Sequence, residues 1–392
     1  MDFSLSEDQR TLVAMLRRFI EEKLAPLEET VEREGRLAPE VARDLFEQSK
    51  ALGFYAMNIP EEFGGGGLST VDMMLAEEQF GRTTDILIRR SFGDVYEVLL
   101  KCVGPQVERW LKPATRGERT CSIAITEPEA GSDAASIRTA ATRAGGGWVL
   151  DGKKHFISDG LFSDFFVVSA VTDPSAGGRG ISLFLVDRDR KGVTIGRDQR
   201  RMGLRGTSHV ELFFDRVELD DQCLLGEPGR GLGYALDTLG RVRLGQVGAR
   251  AVGKATKILD LAVGQARERR QFGKAIGEFQ LIQKMIADSV IEINAARLLL
   301  WNAAAAIDAG RDARALIAMV KVNASETLGR VADRAVQIFG GMGFSRDLPI
   351  ERYYRDARVY RIFDGTTEIH TAGIARAALK SGGALYDPVE AV

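Results

Sequence analysis

The sequence predicts an α+β protein built in three consecutive parts: an N-terminal helical domain over residues 1–118, a central antiparallel β domain over 119–227, and a C-terminal four-helix bundle over 228–392. Two changes of texture carry this reading. Near residue 120, helical spacing of apolar residues gives way to short β-branched and aromatic runs separated by turn residues. Near residue 230 the helical spacing returns, now rich in alanine. No helical pattern separates the β-like runs, so they do not read as βαβ units.

In the first part, Leu12, Met15, Leu16 and Phe19 recur at three- and four-residue spacing and make one apolar helix face. Pro39 suits the first turn of a following helix that carries Val41, Leu45, Ala51 and Leu52. The stretch 60–69, with four consecutive glycines, breaks the helices, and a further helix runs through 71–80. In the second part, strands are expected at 121–125, 147–150, 165–171, 181–186 and 210–214, with turns at Asp151-Gly152 and 173–178. In the third part, helices are expected from 232 to about 268, along the stripe Phe279, Ile282, Ile286, Val290 and Ile293 towards Leu300, and over 311–339 up to Gly340-Gly341. A last helix follows Asp364-Gly365-Thr366. Each stripe taken alone is bundle core.

Composition excludes several function classes. Across 392 residues, 53 basic against 55 acidic side chains leave a net charge of −2, without the basic excess of a nucleic-acid binder. No long uncharged apolar run suggests a membrane span. Three scattered cysteines (Cys102, Cys121, Cys223) do not make a disulfide framework and fit a reducing compartment. Three histidines without a CxxC pair argue against a dedicated zinc site, and no GxSxG elbow is present. The start, MDFSLSEDQR, is acidic and polar, unlike a secretory or transit peptide. A cytoplasmic protein is the expectation.

Four stretches carry residues suited to chemistry. TEPEAGSD at 126–133 follows an expected strand; its hydroxyls and the amides around Gly131 suit a phosphate or a flavin-like heterocycle, and equally a capped loop. RERRQFGK at 267–274 places three arginines where they could grip a pyrophosphate, or where a helix end is solvated. QIFGGMG at 337–343 either exposes backbone to a ligand or caps a helix with glycine. In FDGTTE at 363–368, Asp364 follows Val359, Ile362 and Phe363. Apolar surroundings raise a carboxyl towards the range of a general base, while an N-cap aspartate is the structural alternative; Thr366 or Thr367 would also cap the helix. GRGLG at 229–233 lacks the GxGxxG spacing and a βαβ setting, so it is not a dinucleotide fingerprint.

Taken together, these stretches resemble the acyl-CoA dehydrogenase family of flavoenzymes along nearly the whole chain. The matching marks occur in family order: 60–69, 125–133, DGKKHFIS at 151–158, RMGLRGT at 201–207, GEPGRG at 226–231, RRQFGK at 269–274, 337–344, RDARV at 355–359 and Asp364-Gly365-Thr366. The resemblance implies FAD as cofactor. Ile123, Ile125, Thr126, Gly131 and Ser132 match positions that line the isoalloxazine. Phe156 stands where relatives usually have tryptophan and Ser158 where they often have threonine, which keeps an aromatic face and a hydroxyl. Arg269, Gln271, Phe272, Gln280, Gln337, Gly340 and Gly341 match contacts to the FAD of a neighbouring subunit, and Thr366 and Glu368 match dinucleotide contacts after the base. A homo-oligomer, usually a tetramer, is therefore implied.

The implied reaction is α,β-dehydrogenation of an acyl-CoA thioester, with electrons passed to an electron-transfer flavoprotein. Ser132, Arg243 and Gly365 match substrate-side positions. The base position holds Asp364 where most relatives have glutamate, shorter by on the order of 1.5 Å. The helix near Val242, where some branches carry the base, offers no acid. Three explanations stay open: a pocket adjusted to the shorter base; a proton taken from elsewhere on an unusual substrate, or a flavin oxidase or monooxygenase on the same fold; or a weakly active or non-catalytic subunit of a mixed oligomer. Thr84 occupies the position that binds a distal carboxylate in the glutaryl-specific branch, which weighs against a glutaryl substrate. Arg89 and Arg90 border the acyl region; at least one is expected to be a surface charge. His209 is left without a role.

Overall fold

The computed structural model describes residues 3–386; residues 1–2 and 387–392, the ends of the first and third expected domains, lie outside the described residues. The N-terminal helices are α1 (Glu7–Phe19), α2 (Glu28–Glu34), α3 (Pro39–Ala51), α4 (Thr70–Phe80), α5 (Asp85–Phe92) and α6 (Lys112–Thr115). Local chemistry sets their starts. Ser6 and Gln9 form a reciprocal capping box on α1, Pro39 takes the first turn of α3, and Ser69 Oγ accepts from Asp72 N–H at the head of α4.

The middle of the chain is one sheet of β1 (Cys121–Ala124), β2 (Ala140–Ala144), β3 (Gly147–Ser158), β4 (Phe165–Val171), β5 (Ile181–Asp187), β6 (Val193–Asp198), β7 (His209–Asp220) and β8 (Leu224–Leu225). Its order is β6-β7-β3-β2-β4-β5-β8, with β1 on β4. The expectation of an antiparallel domain needs correction: β1 runs parallel to β4, as does the single β2–β4 bridge, so the sheet is mixed. The expected turn at Asp151-Gly152 is also revised. Strand β3 continues through it, and the register on β7 shifts between Leu150 and Gly152 as a bulge. Strands β4 and β5 are buried on both faces, which explains their unbroken apolar runs.

The third part comprises α7 (Gly231–Val242), a π-helical turn (Arg243–Ala249), α8 (Arg250–Glu268), the short hairpin β9 (Arg270–Gln271) and β10 (Lys274–Ala275), then α9 (Gln280–Asp308), α10 (Arg314–Phe339), α11 (Gly341–Phe344), α12 (Ile350–Val359) and α13 (Thr367–Ser381). The single helix expected over 232–268 is thus widened by one π turn, a feature that periodicity does not reveal and that often marks a functional position. Helix α9 is long and apolar enough to cross a membrane by length and composition. Here its buried positions pack on α8 and α10, and Glu292 and Arg297 are ion-paired to Arg334 and Glu78.

The helical parts lock together through buried charges. Arg250 pairs with Glu77 at 2.5 Å, Arg352 with Glu28 at 2.6 Å, and Lys254 Nζ donates to Thr83 O at 2.8 Å. The β domain docks on α12 through the RMGLRGT loop: Leu204 N–H donates to Asp356 Oδ1 at 2.7 Å. At Gly203 a Cβ would sit 2.5 Å from that same oxygen, so only glycine permits the approach.

Candidate active site

Two groups of side chains form the site, one on the β domain and one where α7, α10 and α13 meet. On the β domain, β1 ends at Ala124 and runs into the 125–133 loop. Thr126 O accepts from His155 N–H at 2.8 Å, which holds the loop beside β3. Beneath it the buried Lys154 Nζ donates to Ile125 O (3.1 Å), Ser169 Oγ (3.1 Å) and Glu127 Oε1 (2.7 Å). Glu127 also accepts from Arg138 N–H and Thr139 N–H. Burial lowers the Lys154 ammonium to about 8, and the lysine in turn draws the Glu127 carboxyl below its usual range. Sequence reasoning missed Lys154 as a positioning residue. The available signal was a lysine in phase with the buried Trp148 and Leu150 of the same strand.

This scaffold brings together Ile123, Ile125, Thr126, Gly131, Ser132, Phe156 and Ser158. Ile125 is buried, Ile123, Thr126 and Ser158 are half-buried, and Gly131 and Ser132 are exposed at the rim. A second register shift in β3, between Lys154 and Ile157, sets Phe156 at φ +57° and leaves its ring 56% exposed. A phenyl ring displayed by a strained backbone, beside half-buried hydroxyls and with open space at Gly131, fits a flat heterocycle such as a flavin.

The second group centres on Asp364. Its backbone lies at φ +55°, uncommon for a residue with a Cβ, and is followed by Gly365 at φ +91°. Asp364 O accepts from Arg243 Nε at 2.7 Å and pairs with His370 Nε2 at 3.0 Å. Among the described residues its main-chain N–H meets no acceptor. Thr366, rather than Thr367, caps α13, with its Oγ1 accepting from Ile369 N–H at 3.3 Å. Burial pushes the Asp364 carboxyl up, and the fields of Arg243, Lys321 and Arg89 oppose the rise without cancelling it. Glu368, fully exposed in the first turn of α13, is lowered by hydrogen bonds at that helix start.

Lys321 is the second residue that sequence reasoning missed. It lies on α10 with no exposed surface, and its Nζ has no hydrogen-bond partner among the described residues. Burial brings its ammonium down to about 8, against the pull of Asp364, Glu326 and Glu368. The signal was a lysine within the apolar stripe Ile317, Val320, Ala324 and Leu328.

The remaining expected residues lie apart in a single chain. Arg269, Gln271, Phe272 and Gln280 surround the β9–β10 hairpin, and Gln337, Gly340 and Gly341 end α10; all are exposed, Phe272 by 94%. No hydrogen bond among the described residues joins them to Asp364 or to the 125–133 loop. The expectation for Arg89 and Arg90 is overturned, because neither is a surface charge. Arg89 NH1 reaches Asp159 at 3.1 Å and Asp94 at 3.3 Å, while Arg90 reaches Asp159 at 2.6 Å and stacks over Phe162. The bulged end of β3 carries Asp159 inward, a placement that α5 alone does not encode. His209 adjoins this cluster, and burial with Arg89 and Arg201 nearby holds it neutral, at about 4.

Family models match in three consecutive stretches: acyl-CoA dehydrogenase N-terminal domain over 6–118, middle domain over 122–217 and C-terminal domain over 229–379. The chain is 37% identical to the probable acyl-CoA dehydrogenase FadE25 of Mycobacterium tuberculosis, over 96% of this chain and 97% of that one. It is 35% identical to the caffeyl-CoA reductase-Etf complex subunit CarC of Acetobacterium woodii, over 96% and 99%. The solved structure of PigA with FAD and proline superposes with a TM-score of 0.90 at 28% identity, covering 97% of this chain and all of that one. Hydroxyls and a displayed phenyl ring on a mixed sheet, a carboxyl raised by burial in the helical part and relatives over almost every residue lead to one conclusion: this chain belongs to the acyl-CoA dehydrogenase family, an FAD-dependent oxidoreductase.

Proposed function

We propose that this enzyme dehydrogenates an acyl-CoA thioester with Asp364 as the base for the α proton. The observation that carries the reading is the Asp364 corner. Its carboxyl is raised by burial, and Arg243 and His370 take its carbonyl. Its main-chain N–H is left without an acceptor, free to meet the developing negative charge on a thioester oxygen. A raised carboxyl is a stronger base towards a weakly acidic carbon once ionised, and the bound acyl chain would desolvate it further.

Thr126, Ser158 and Phe156 would hold the flavin ring, with Ile123, Ile125, Gly131 and Ser132 around it, and Thr366 and Glu368 would meet the dinucleotide. When bound, FAD supplies the acceptor for the β hydride. Ser132 and Gly365 would border the thioester. The exposed set from Arg269 to Gln280, with Gln337, Gly340 and Gly341, would reach the FAD of a second copy, as expected of a homotetramer. An electron-transfer flavoprotein is the proposed acceptor; the relative named as part of a caffeyl-CoA reductase-Etf complex supports it.

Anaerobic titration of the purified flavoprotein with a panel of acyl-CoA thioesters tests this reading. At least one thioester should bleach the flavin, and Asp364→Asn should slow bleaching by about 10²–10⁴-fold. A flavin that dithionite reduces but no thioester does would overturn it.

A further inference from the structure

A cavity of about 430 Å³, well within the size of a ligand pocket, is linked to Asp364 through Arg89, which pairs with the lining residue Asp94 and whose field reaches the Asp364 carboxyl. Its walls are α4, the 93–97 segment, and Val242, Gly245 and Gln246, which flank Arg243 at the π turn. Part of the lining is apolar and pliable, including Met57, Met73, Met74 and Phe92. The polar part is lopsided: Glu77, Asp94, Glu97 and Asp308 line the cavity against the single guanidinium of Arg241.

Three of those four carboxylates are already engaged. Glu77 is paired with Arg250 at 2.5 Å. Asp94 accepts from Gln246 Nε2 at 2.9 Å and pairs with Arg89. Asp308 accepts from the N–H groups of Thr70 (2.8 Å) and Val71 (3.0 Å) at the head of α4. Glu97 differs. It accepts one side-chain hydrogen bond, from Asn58 Nδ2 at 3.2 Å, and makes no ion pair among the described residues. Asn58 also donates to Val95 O at 2.9 Å, so its amide is shared. Burial pushes the Glu97 carboxyl up, with Asn58 and Arg241 opposing. Glu97 is half-buried where it lines the cavity, so a partly desolvated carboxyl with one shared amide donor gains from a ligand that brings it another. Glu97 is the one lining carboxylate that these structural pairs and caps leave unaccounted for.

We propose that this cavity takes the far end of the acyl group and that Glu97 selects chains carrying a hydrogen-bond donor, a hydroxyl or an ammonium, over plain alkyl chains. This rests on the thioester reading above, and the two can fail separately. The probes are valeryl-CoA against 5-hydroxyvaleryl-CoA and hexanoyl-CoA against 6-aminohexanoyl-CoA. Each pair is measured twice: by kcat/KM for anaerobic flavin reduction in the wild-type holoenzyme, and by calorimetric binding to Asp364→Asn holoenzyme, which does not depend on turnover.

The donor-bearing member of at least one pair should be preferred about 10–100-fold, the effect of one hydrogen bond to a charged group. Glu97→Leu should abolish or invert that preference. Glu97→Gln, the gentler change, should keep part of a hydroxyl preference and lose an ammonium preference, with flavin content reporting on folding. Equal or better use of both alkyl members would overturn the assignment while leaving Asp364 as base. A donor preference in binding without any flavin reduction would overturn the dehydrogenase reading and keep the pocket assignment. Absence of binding by every thioester would overturn both.

Discussion

Lys154 and Lys321 are both buried, both lowered to about 8, and yet they stand at opposite extremes of satisfaction. Lys154 has three acceptors around its ammonium and ties the 125–133 loop to the sheet. Lys321 has none among the described residues, and its charge acts only through the field it casts on Asp364 and its neighbours. A buried cation with every donor used belongs to the architecture. One left unpaired is costly, and that cost is tolerated where the charge does chemistry at a distance. The two groups of side chains therefore differ in kind: the one on the β domain is pre-built by hydrogen bonds, and the one around Asp364 is held in electrostatic tension.

The largest expected effect that separates them is on stability. Lys154→Met leaves Glu127 buried without its cation and should cost about 3–5 kcal/mol, with early loss of flavin, measured by chemical denaturation and by bound-flavin absorbance. Little change in stability would show that Glu127 and the loop do not depend on the lysine.

Lys321→Met removes an unpaired buried cation, so it should hold or raise stability and alter catalysis instead. The groups around it are Asp364, Glu326 and Glu368 on the acidic side and Arg243 on the basic side. Removing the cation removes one of the fields that oppose the raised Asp364 carboxyl, so the acid limb of the kcat–pH profile should move to higher pH, with about tenfold lower activity one unit below the new limb. Lys321→Arg should restore the profile. A shift in KM alone, or a profile that does not move, would break the distinction drawn between the two lysines.

The smallest effect concerns Asp364 itself. Its carboxyl is raised in the folded state above its unfolded value. The stability it contributes is thus fully present below the unfolded value and is lost as pH rises through the folded one. Asp364→Asn should therefore be more stable than wild type at neutral pH, by about 1 kcal/mol, and the gain should fade below about pH 4. A variant that is less stable at pH 7 would place Asp364 among the structural carboxylates.

Much of the fold was legible because helix periodicity and turn chemistry are local. The apolar stripes of α1, α9 and α10 could be read, α10 within a few residues of its ends, while α9 runs on past Leu300 to Asp308. The parallel pairing of β1 on β4 was not legible, because strand direction depends on residues some forty positions apart. The bulges of β3 were missed for a related reason: Asp151-Gly152 has turn chemistry, and only the partner strand β7 decides that it continues. Of the candidate site, the residues proposed on contiguous motifs such as 125–133 and 363–368 are visible in the sequence because each motif is local. Lys154 and Lys321 were hidden inside apolar patterns, and the pairing of Arg89 and Arg90 with Asp159 joins an N-terminal helix to the end of a β strand.

By itself, then, the sequence determined the order of helical and β parts and five of the strands, which loops carry hydroxyls and glycines suited to a flavin, and that Asp364 follows an apolar run, while β2, β6 and β8 went unread. Those features depend on dihedral preference and side-chain period, which act over a few residues. The tertiary structure alone decided which charges are paired and which are stranded: Arg89 bound to Asp159, Glu77 to Arg250, Glu97 held by one amide and Lys321 by nothing among the described residues. Burial and charge proximity are set by elements distant in the chain, and they raise the Asp364 carboxyl and set the polarity of the cavity along α4.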